Sequence, residues 1–335
     1  MHVAVLGATG AVGRTMLEVL NERRIKVDRL TLLASERSAG TTVRFAGREV
    51  TVEVPRPGVF DGVDVALFSA GADRSKEWGP RAADEGAVVI DNSSAFRMDP
   101  QVPLVVPEVN PKDIAERPKG IIANPNCSTI QMVVALQAIR RAAGLKRVIA
   151  TTYQSVSGAG ETGRDALRRE LEGEGLMAAR LGAPVDGSPF TRRIAGNVIP
   201  QIGDFDDEGW TGEERKMINE TRKILGIPGL AVTATCVRVP VEVGHSVQVT
   251  AETEKELTLD SLRRALVVFP GILMAGGPQH FPTPYEIAGR NEVFVGRVRS
   301  DPEIPRTFHL WVVADNLRKG AATNAVQILE RLGGG

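Results

Sequence analysis

The chain is poor in cysteine. Cys127 and Cys236 are its only two in 335 residues, and neither belongs to a CxxC pair or a Cys/His cluster. That excludes a disulfide scaffold and a thiolate zinc site, leaves no metal expected, and fits a reducing cytoplasm. It also lacks a charge excess, since 41 Lys and Arg balance 41 Asp and Glu. Without a dense basic tract, neither nucleic acid nor a membrane surface is an expected partner, which leaves a small molecule. No apolar run approaches membrane-spanning length, and residues 1–6 enter a strand pattern with no basic, then apolar, targeting segment. A cytoplasmic location is the expectation. The length favours about two domains of roughly 150 residues each.

What is present begins at the N-terminus. The apolar run 3–6 meets Gly7-Ala8-Thr9-Gly10-Ala11-Val12-Gly13, after which Met16, Leu17, Val19 and Leu20 mark a helix face. Strand, glycine turn and helix in that order hold a pyrophosphate: the glycines allow a tight turn and close packing, and the helix N-terminus faces the phosphates. Gly7, Thr9, Gly10, Ala11, Val12 and Gly13 are therefore candidate dinucleotide contacts. The spacing is GxxGxxG, shared with short-chain dehydrogenases, but no Tyr-x-x-x-Lys pair follows Tyr153 or Tyr285.

Residues 30–35 read as the second strand, ending where such folds distinguish the ribose. Ser35, Arg37 and Ser38 suit the 2′-phosphate of NADP, whereas Glu36 suits the free ribose hydroxyl of NAD. NADP is the favoured reading, and the alternative for Arg37 is a solvated loop charge. Residues 42–45 and 48–54 alternate around Ala46-Gly47 as an edge hairpin. Residues 63–68 and 87–90 are further core strands, and the polar stretch after the second contains Arg97, a candidate anion ligand or a plain surface arginine.

The chemistry centres on Asn124-Pro125-Asn126-Cys127-Ser128-Thr129, between a short buried strand (120–123) and an apolar helical run (130–136). A cysteine there meets unsatisfied N–H groups and the positive helix end, which stabilise a thiolate. The plain alternative is a small buried residue beside a Ser128 cap.

Beyond it the pattern turns to α+β. Residues 148–156 form a strand, 161–173 a charged helix, and 213–225 a polar helix. Residues 230–251 form a strand stretch broken at Pro240 and Gly244, and 258–268 a helix. Residues 292–300 and 307–314 complete an antiparallel sheet, while 315–329 is a helix returning to the first domain. Residues 178–207, rich in Gly and Pro, read as a long loop or subunit contact. The fold class is thus α/β, with a Rossmann-like dinucleotide-binding domain (1–127 plus 315–335) and a second, α+β domain (128–314). Among four histidines, His245 alone has a suggestive setting, because Gly244 permits an exposed, sharply placed imidazole beside a possible nucleophile. Arg238 can grip a carboxylate through two hydrogen bonds or sit as a strand-face ion pair.

These motifs, joined by Ser93-Ser94-Ala95-Phe96-Arg97, Tyr153-Gln154-Ser155-Val156-Ser157-Gly158-Ala159-Gly160, Glu213-Glu214-Arg215-Lys216, Cys236-Val237-Arg238 and Asp315-Asn316-Leu317-Arg318-Lys319-Gly320, resemble the aspartate-semialdehyde dehydrogenases along nearly the whole chain. The resemblance implies Cys127 as nucleophile, His245 as acid/base and Gln154 as positioning residue. It implies Arg238 and Glu213 as substrate contacts, with Arg97, Asn126 and Lys216 on the phosphate side. It adds Ser157, Gly158 and Asn316 to the NADP contacts and makes the second domain catalytic and dimerising, in a homodimer. The implied reaction converts aspartate 4-semialdehyde and phosphate to 4-aspartyl phosphate through a Cys thioester, and its reverse feeds lysine, threonine and methionine synthesis. The rivals are another acyl-phosphate reductase, such as N-acetylglutamyl-phosphate reductase, a Cys/His hydrolase, and a non-catalytic NADP-binding sensor.

Overall fold

The computed structural model describes residues 1–174 and 182–333. The chain divides into two compact units, Met1–Asn126 with Gly320–Gly335, and Cys127–Lys319.

In the first unit, β1 (His2–Leu6), α1 (Ala11–Glu22), β2 (Arg29–Leu33), β3 (Thr42–Phe45), β4 (Arg48–Glu53), β5 (Val65–Phe68), α2 (Ala72–Asp84), β6 (Val88–Asp91) and β7 (Ile121–Ala123) build one sheet. Its order is β3-β4-β2-β1-β5-β6-β7. All neighbours are parallel except β3 and β4, which form the expected edge hairpin. The order reverses between β1 and β5, the place where doubly wound sheets open a ligand crevice at the carboxyl ends of their strands. Val3, Val5, Leu67 and Ile90 from the strands pack with Met16 and Leu20 of α1, and with Val326 and Leu329 of the C-terminal helix Thr323–Gly333. Sequence reasoning assigned no helix to α2, and the reason is physical. Its buried side is only Ser75, Trp78, Gly79 and Ala82, and Pro80 lies inside it, so the sequence carries little apolar periodicity and a residue that normally argues against a helix.

The second unit starts with α3 (Cys127–Ala143), followed by β8 (Arg147–Gln154), α4 (Glu161–Leu171), α5 (Gly212–Leu225), β9 (Ala231–Arg238), β10 (His245–Glu252), α6 (Leu259–Val267), β11 (Ile272–Met274), β12 (Val293–Ser300) and β13 (Thr307–Ala314). The sheet order is β11-β12-β13-β10-β8-β9, with α3, α5 and α6 packed against it. The sheet is mixed rather than antiparallel as expected: β8 pairs with β9, and β11 with β12, in parallel. A parallel pair needs a long crossover, and the 76 residues between β8 and β9 supply it. The expected final helix also starts late, because Arg318–Ala322 forms a π-helical turn before Thr323. Of the Gly/Pro-rich stretch 178–207, residues 178–181 lie outside the described residues, and the remainder has no helix and only isolated bridges, at Ile199 and Phe205.

Candidate active site

Cys127 is the first residue of α3 and is half-buried. The chain reaches it from β7 through Asn124, which is fully buried. Asn124 receives a hydrogen bond from Asn324 Nδ2 (2.7 Å) and donates one to Asn92 Oδ1 (2.7 Å), so the turn ahead of the thiol is held by its own polar clasp. At the head of α3 the helix dipole favours a thiolate. Cys236, inside β9, has the opposite setting: burial first, then Glu213, push its thiol upward.

The full parallel register of β8 and β9 sets Gln154 beside Arg238 at their shared carboxyl end. Gln154 Nε2 donates to Glu213 Oε1 (3.1 Å), and Lys216 Nζ lies 3.3 Å from Glu213 Oε2. Glu213 is placed by a capping box at the start of α5: Thr211 N–H donates to Glu214 Oε2 (2.8 Å), and Thr211 Oγ1 accepts from Glu214 N–H (3.4 Å). Glu214 also accepts from the Cys236 amide (3.0 Å), which ties that first turn to β9. Arg238 is buried, donates from Nη1 to the Ser155 carbonyl (2.6 Å) and stacks over Phe190 at 5.9 Å. Burial lowers its pKa, while the charges of Glu213 and Cys127 act to raise it. Arg238 also lines a cavity of about 220 Å³ with Phe190, Thr191, Gln201 and Asp204.

His245 opens β10 and is wholly buried, not exposed as the preceding glycine suggested. Gly244 does take the left-handed φ of 94° that its turn requires, but the turn sends the ring inward. His245 Nδ1 lies 3.0 Å from the Ser155 N–H, and Gln131 Nε2 donates to the His245 carbonyl (3.1 Å). A Cβ on Gly158 would stand 2.7 Å from Arg238 Nη1 and 3.2 Å from His245 Nε2, so only glycine fits over this pair.

In the first unit, Gly7, Thr9, Gly10, Ser35, Glu36 and Arg37 line a cavity of about 650 Å³ beside β1 and β2. Thr9 Oγ1 donates to Ser38 Oγ (3.2 Å) and so couples the glycine turn to the ribose loop. A Cβ on Gly13 would lie 2.1 Å from the Gly7 carbonyl oxygen, which enforces the close packing of α1 on β1.

Residues 2–117 match the family described as semialdehyde dehydrogenase, NAD binding domain, and residues 136–319 match semialdehyde dehydrogenase, dimerisation domain. The aspartate-semialdehyde dehydrogenase of Aquifex aeolicus is 52% identical over 99% of this chain and 97% of its own. The chain belongs to the aspartate-semialdehyde dehydrogenase family. The crystal structure of aspartate semialdehyde dehydrogenase II from Vibrio cholerae, complexed with ASA, superposes with a TM-score of 0.93 at 51% identity, covering 99% of this chain and 98% of that one. The Candida albicans family member with NADP has a TM-score of 0.75 at 25% identity, covering 99% and 98%.

Within this oxidoreductase family chain, the second unit brings together Gln154, Glu213, Lys216, Arg238 and His245, and starts at Cys127. Ser157, Gly158 and Asn316 also lie in that unit, whereas Arg97 and Asn126 lie in the first. Arg97 is buried and donates to the carbonyls of Asn124 (3.0 Å) and Asn92 (2.9 Å), bracing the ends of β6 and β7. Ala11, Val12 and Gly13 form the first turn of α1. Sequence reasoning missed Arg74 and Trp78, which line the large cavity from α2, and Gln131 and Ser155. The i, i+4 spacing of Gln131 from Cys127 was a signal that went unused. Ser155 acts partly through its main chain, which leaves no mark on residue type. No group of three or more His, Cys, Asp or Glu among the described residues could hold a metal, and no described helix is long and apolar enough to cross a membrane.

Proposed function

We propose that this chain catalyses the NADP-dependent interconversion of L-aspartate 4-semialdehyde and phosphate with L-4-aspartyl phosphate, through a thioester on Cys127, in lysine, threonine and methionine synthesis. The observation that carries the reading is the buried Arg238. Its guanidinium is sensitive to the charge of Cys127, it sits opposite Gln154 in the β8–β9 register, and it lines a cavity of about 220 Å³. A buried fork of N–H donors near a nucleophile suits a substrate that carries a carboxylate as well as an aldehyde. That the Vibrio cholerae relative is complexed with ASA supports a semialdehyde substrate.

Cys127 attacks the aldehyde carbon as a thiolate, with Gln154 and Glu213 orienting the substrate and Arg238 holding its carboxylate. His245 manages the proton inventory at the adduct oxygen. Asn126 and first-turn N–H groups of α3 stabilise that oxygen, a contribution of about 3 kcal/mol per donor. When bound, the nicotinamide takes up the hydride. Phosphate, guided by Arg97 and Lys216, then resolves the thioester and frees the thiolate.

The first-unit cavity fits the dinucleotide. Its glycine turn opens α1, its volume of about 650 Å³ lies in the range of small-ligand clefts, and Ser35 and Arg37 line the side where the ribose would sit. Ser38, oriented by Thr9, completes a 2′-phosphate clasp, and the NADP complex of the Candida albicans relative supports that choice over NAD. The family resemblance also gives Ser157, Gly158 and Asn316 as NADP contacts and the second unit as the homodimer contact. The enzyme works in the cytoplasm.

The test is absorbance of reduced nicotinamide on mixing enzyme, NADP, phosphate and aspartate semialdehyde. Turnover should require both phosphate and Cys127. Turnover of N-acetylglutamate semialdehyde alone would assign the chain to the longer-substrate reductases, and no reduction of any semialdehyde would refute the reading.

A further inference from the structure

One buried carboxylate ties the segment 185–195 to α4. Glu170, in the last turn of that helix, is 1% exposed, and its oxygens accept from the main-chain N–H groups of Val185 (3.3 Å), Ile194 (2.8 Å) and Ala195 (2.8 Å). Arg193 Nη2 donates back to the Glu170 carbonyl. A buried charge persists only where hydrogen bonds satisfy it, and bonds to an ionised acceptor are the strong ones. The segment is therefore held at both of its ends by a single side chain.

Phe190 lies between those ends. Its ring centre is 5.9 Å from the Arg238 guanidinium carbon, and the ring packs on the cluster of Val156, Leu167, Ile194 and Ile199. Leu167 belongs to α4, and a Cβ on Gly163, one turn earlier, would stand 3.2 Å from the Phe190 ring, so this face of the helix is shaped to seat it. Past Phe190 the chain crosses to β9, where Ile199 and Arg238 exchange two main-chain hydrogen bonds (2.9 and 2.8 Å). Phe190, Thr191 and Ile199 wall the cavity of about 220 Å³ that Arg238 also lines.

We propose that Glu170 is a positioning residue for the substrate carboxylate: by clamping the segment 185–195 it holds Phe190 against Arg238 and so fixes the plane in which the guanidinium meets its anion. The inference rests on the reaction proposed above, in which Arg238 grips the carboxylate, and it names the two residues that set that grip. Arg238 Nη1 is committed to the Ser155 carbonyl (2.6 Å). A planar fork held at one N–H can still pivot about that bond, and an aromatic face beside it removes the freedom. Two-point binding of a carboxylate depends on that plane, since both N–H···O bonds must align together.

The signature is a split between kinetic parameters. A carboxylate is gripped alike in the ground state and the transition state, so a loosened grip raises the semialdehyde KM and leaves kcat and the phosphate KM nearly unchanged. Glu170→Gln keeps the volume but offers one acceptor oxygen where two are used, so at least one end of the segment comes free. Its semialdehyde KM should rise about tenfold, the scale of a desolvated cation–π contact. Phe190→Leu should do the same, and Phe190→Tyr, which keeps the ring, should recover most of the wild-type KM. Because Glu170 acts through Phe190, the double variant Glu170→Gln/Phe190→Leu should be no worse than Phe190→Leu alone.

Steady-state kinetics on the four variants, with hydrogen exchange at the Ile194 and Ala195 amides, tests this. Faster exchange in Glu170→Gln together with the KM split is the expected result. Unchanged exchange overturns the clamp. A wild-type KM in either Glu170→Gln or Phe190→Leu overturns the positioning role, as do KM rises that multiply in the double variant. If Glu170→Gln fails to fold, the contrast between Phe190→Leu and Phe190→Tyr decides, and equal KM values in those two overturn the proposal. A wild-type enzyme inactive on aspartate semialdehyde refutes the proposed reaction and this inference with it, whereas an active wild type with unresponsive variants refutes the inference alone.

Discussion

Gln131 donates a 3.1 Å hydrogen bond to the main-chain carbonyl of His245, pinning the helix that begins at Cys127 to the strand that begins at His245. Gln131 lies one helical turn after the cysteine, so the tie acts close to both chemical groups.

Replacing that glutamine should separate stability from catalysis. Gln131→Leu removes the tie without opening a large cavity, and stability should fall by about 1 kcal/mol, the net worth of one hydrogen bond. The drop in kcat/KM should be larger, about tenfold or more, because sub-ångström misplacement of reacting groups is costly. Denaturant melts beside steady-state kinetics check it. Equal losses on the two scales would make Gln131 a packing residue only.

The two cysteines should differ in reactivity. Cys127 heads α3 and is half-buried, whereas Cys236 is fully buried and its thiol is pushed up by burial. Iodoacetamide near neutral pH should label Cys127 first and abolish turnover with stoichiometric incorporation, as read by peptide mass spectrometry. Cys127→Ser should fold and bind cofactor yet lose nearly all activity, since an alcohol ionises far less readily than a thiol.

Cofactor choice rests on the loop after β2. Arg37→Ala should shrink the kcat/KM preference for NADP over NAD by up to about 2 kcal/mol, the scale of a charged hydrogen bond. A wild-type preference for NAD would assign the loop to Glu36.

Arg238 and Lys216 should divide the two anions of the reaction between them. Arg238→Lys keeps the charge but loses the planar fork, so the semialdehyde KM should rise while the phosphate KM changes little. Lys216→Ala should do the reverse. Its contact with Glu213 is long, 3.3 Å, and half-exposed, so losing it should leave stability nearly unchanged. If both variants raise both KM values alike, a single shared anion pocket replaces the two-site division.

Features carried by local pattern were legible in the sequence. The glycine turn after β1, the cysteine before an apolar helix and the strand pair flanking Pro240 each depend on a few neighbouring residues, and each has the expected form. What escaped depends on long-range geometry or on the backbone. The burial of His245 follows from how the turn at Gly244 is received by the rest of the sheet, which no local window records. The mixed sheet follows from strand direction after a long crossover, where periodicity gives spacing but not sense. The Ser155 amide would donate to His245 whatever non-proline side chain stood there.

The parallel register of β8 and β9 leaves the opposite, amino end of the pair free of chemistry. There Arg147 faces Ala231, and the turn before Ala231 exposes Pro228 and Gly229. That turn is a natural insertion point. A fluorescent reporter or affinity tag spliced after Gly229 would ride on the outside of the second unit, a strand length away from Gln154 and Arg238, and would give an enzyme that can be immobilised or imaged while its pocket stays untouched.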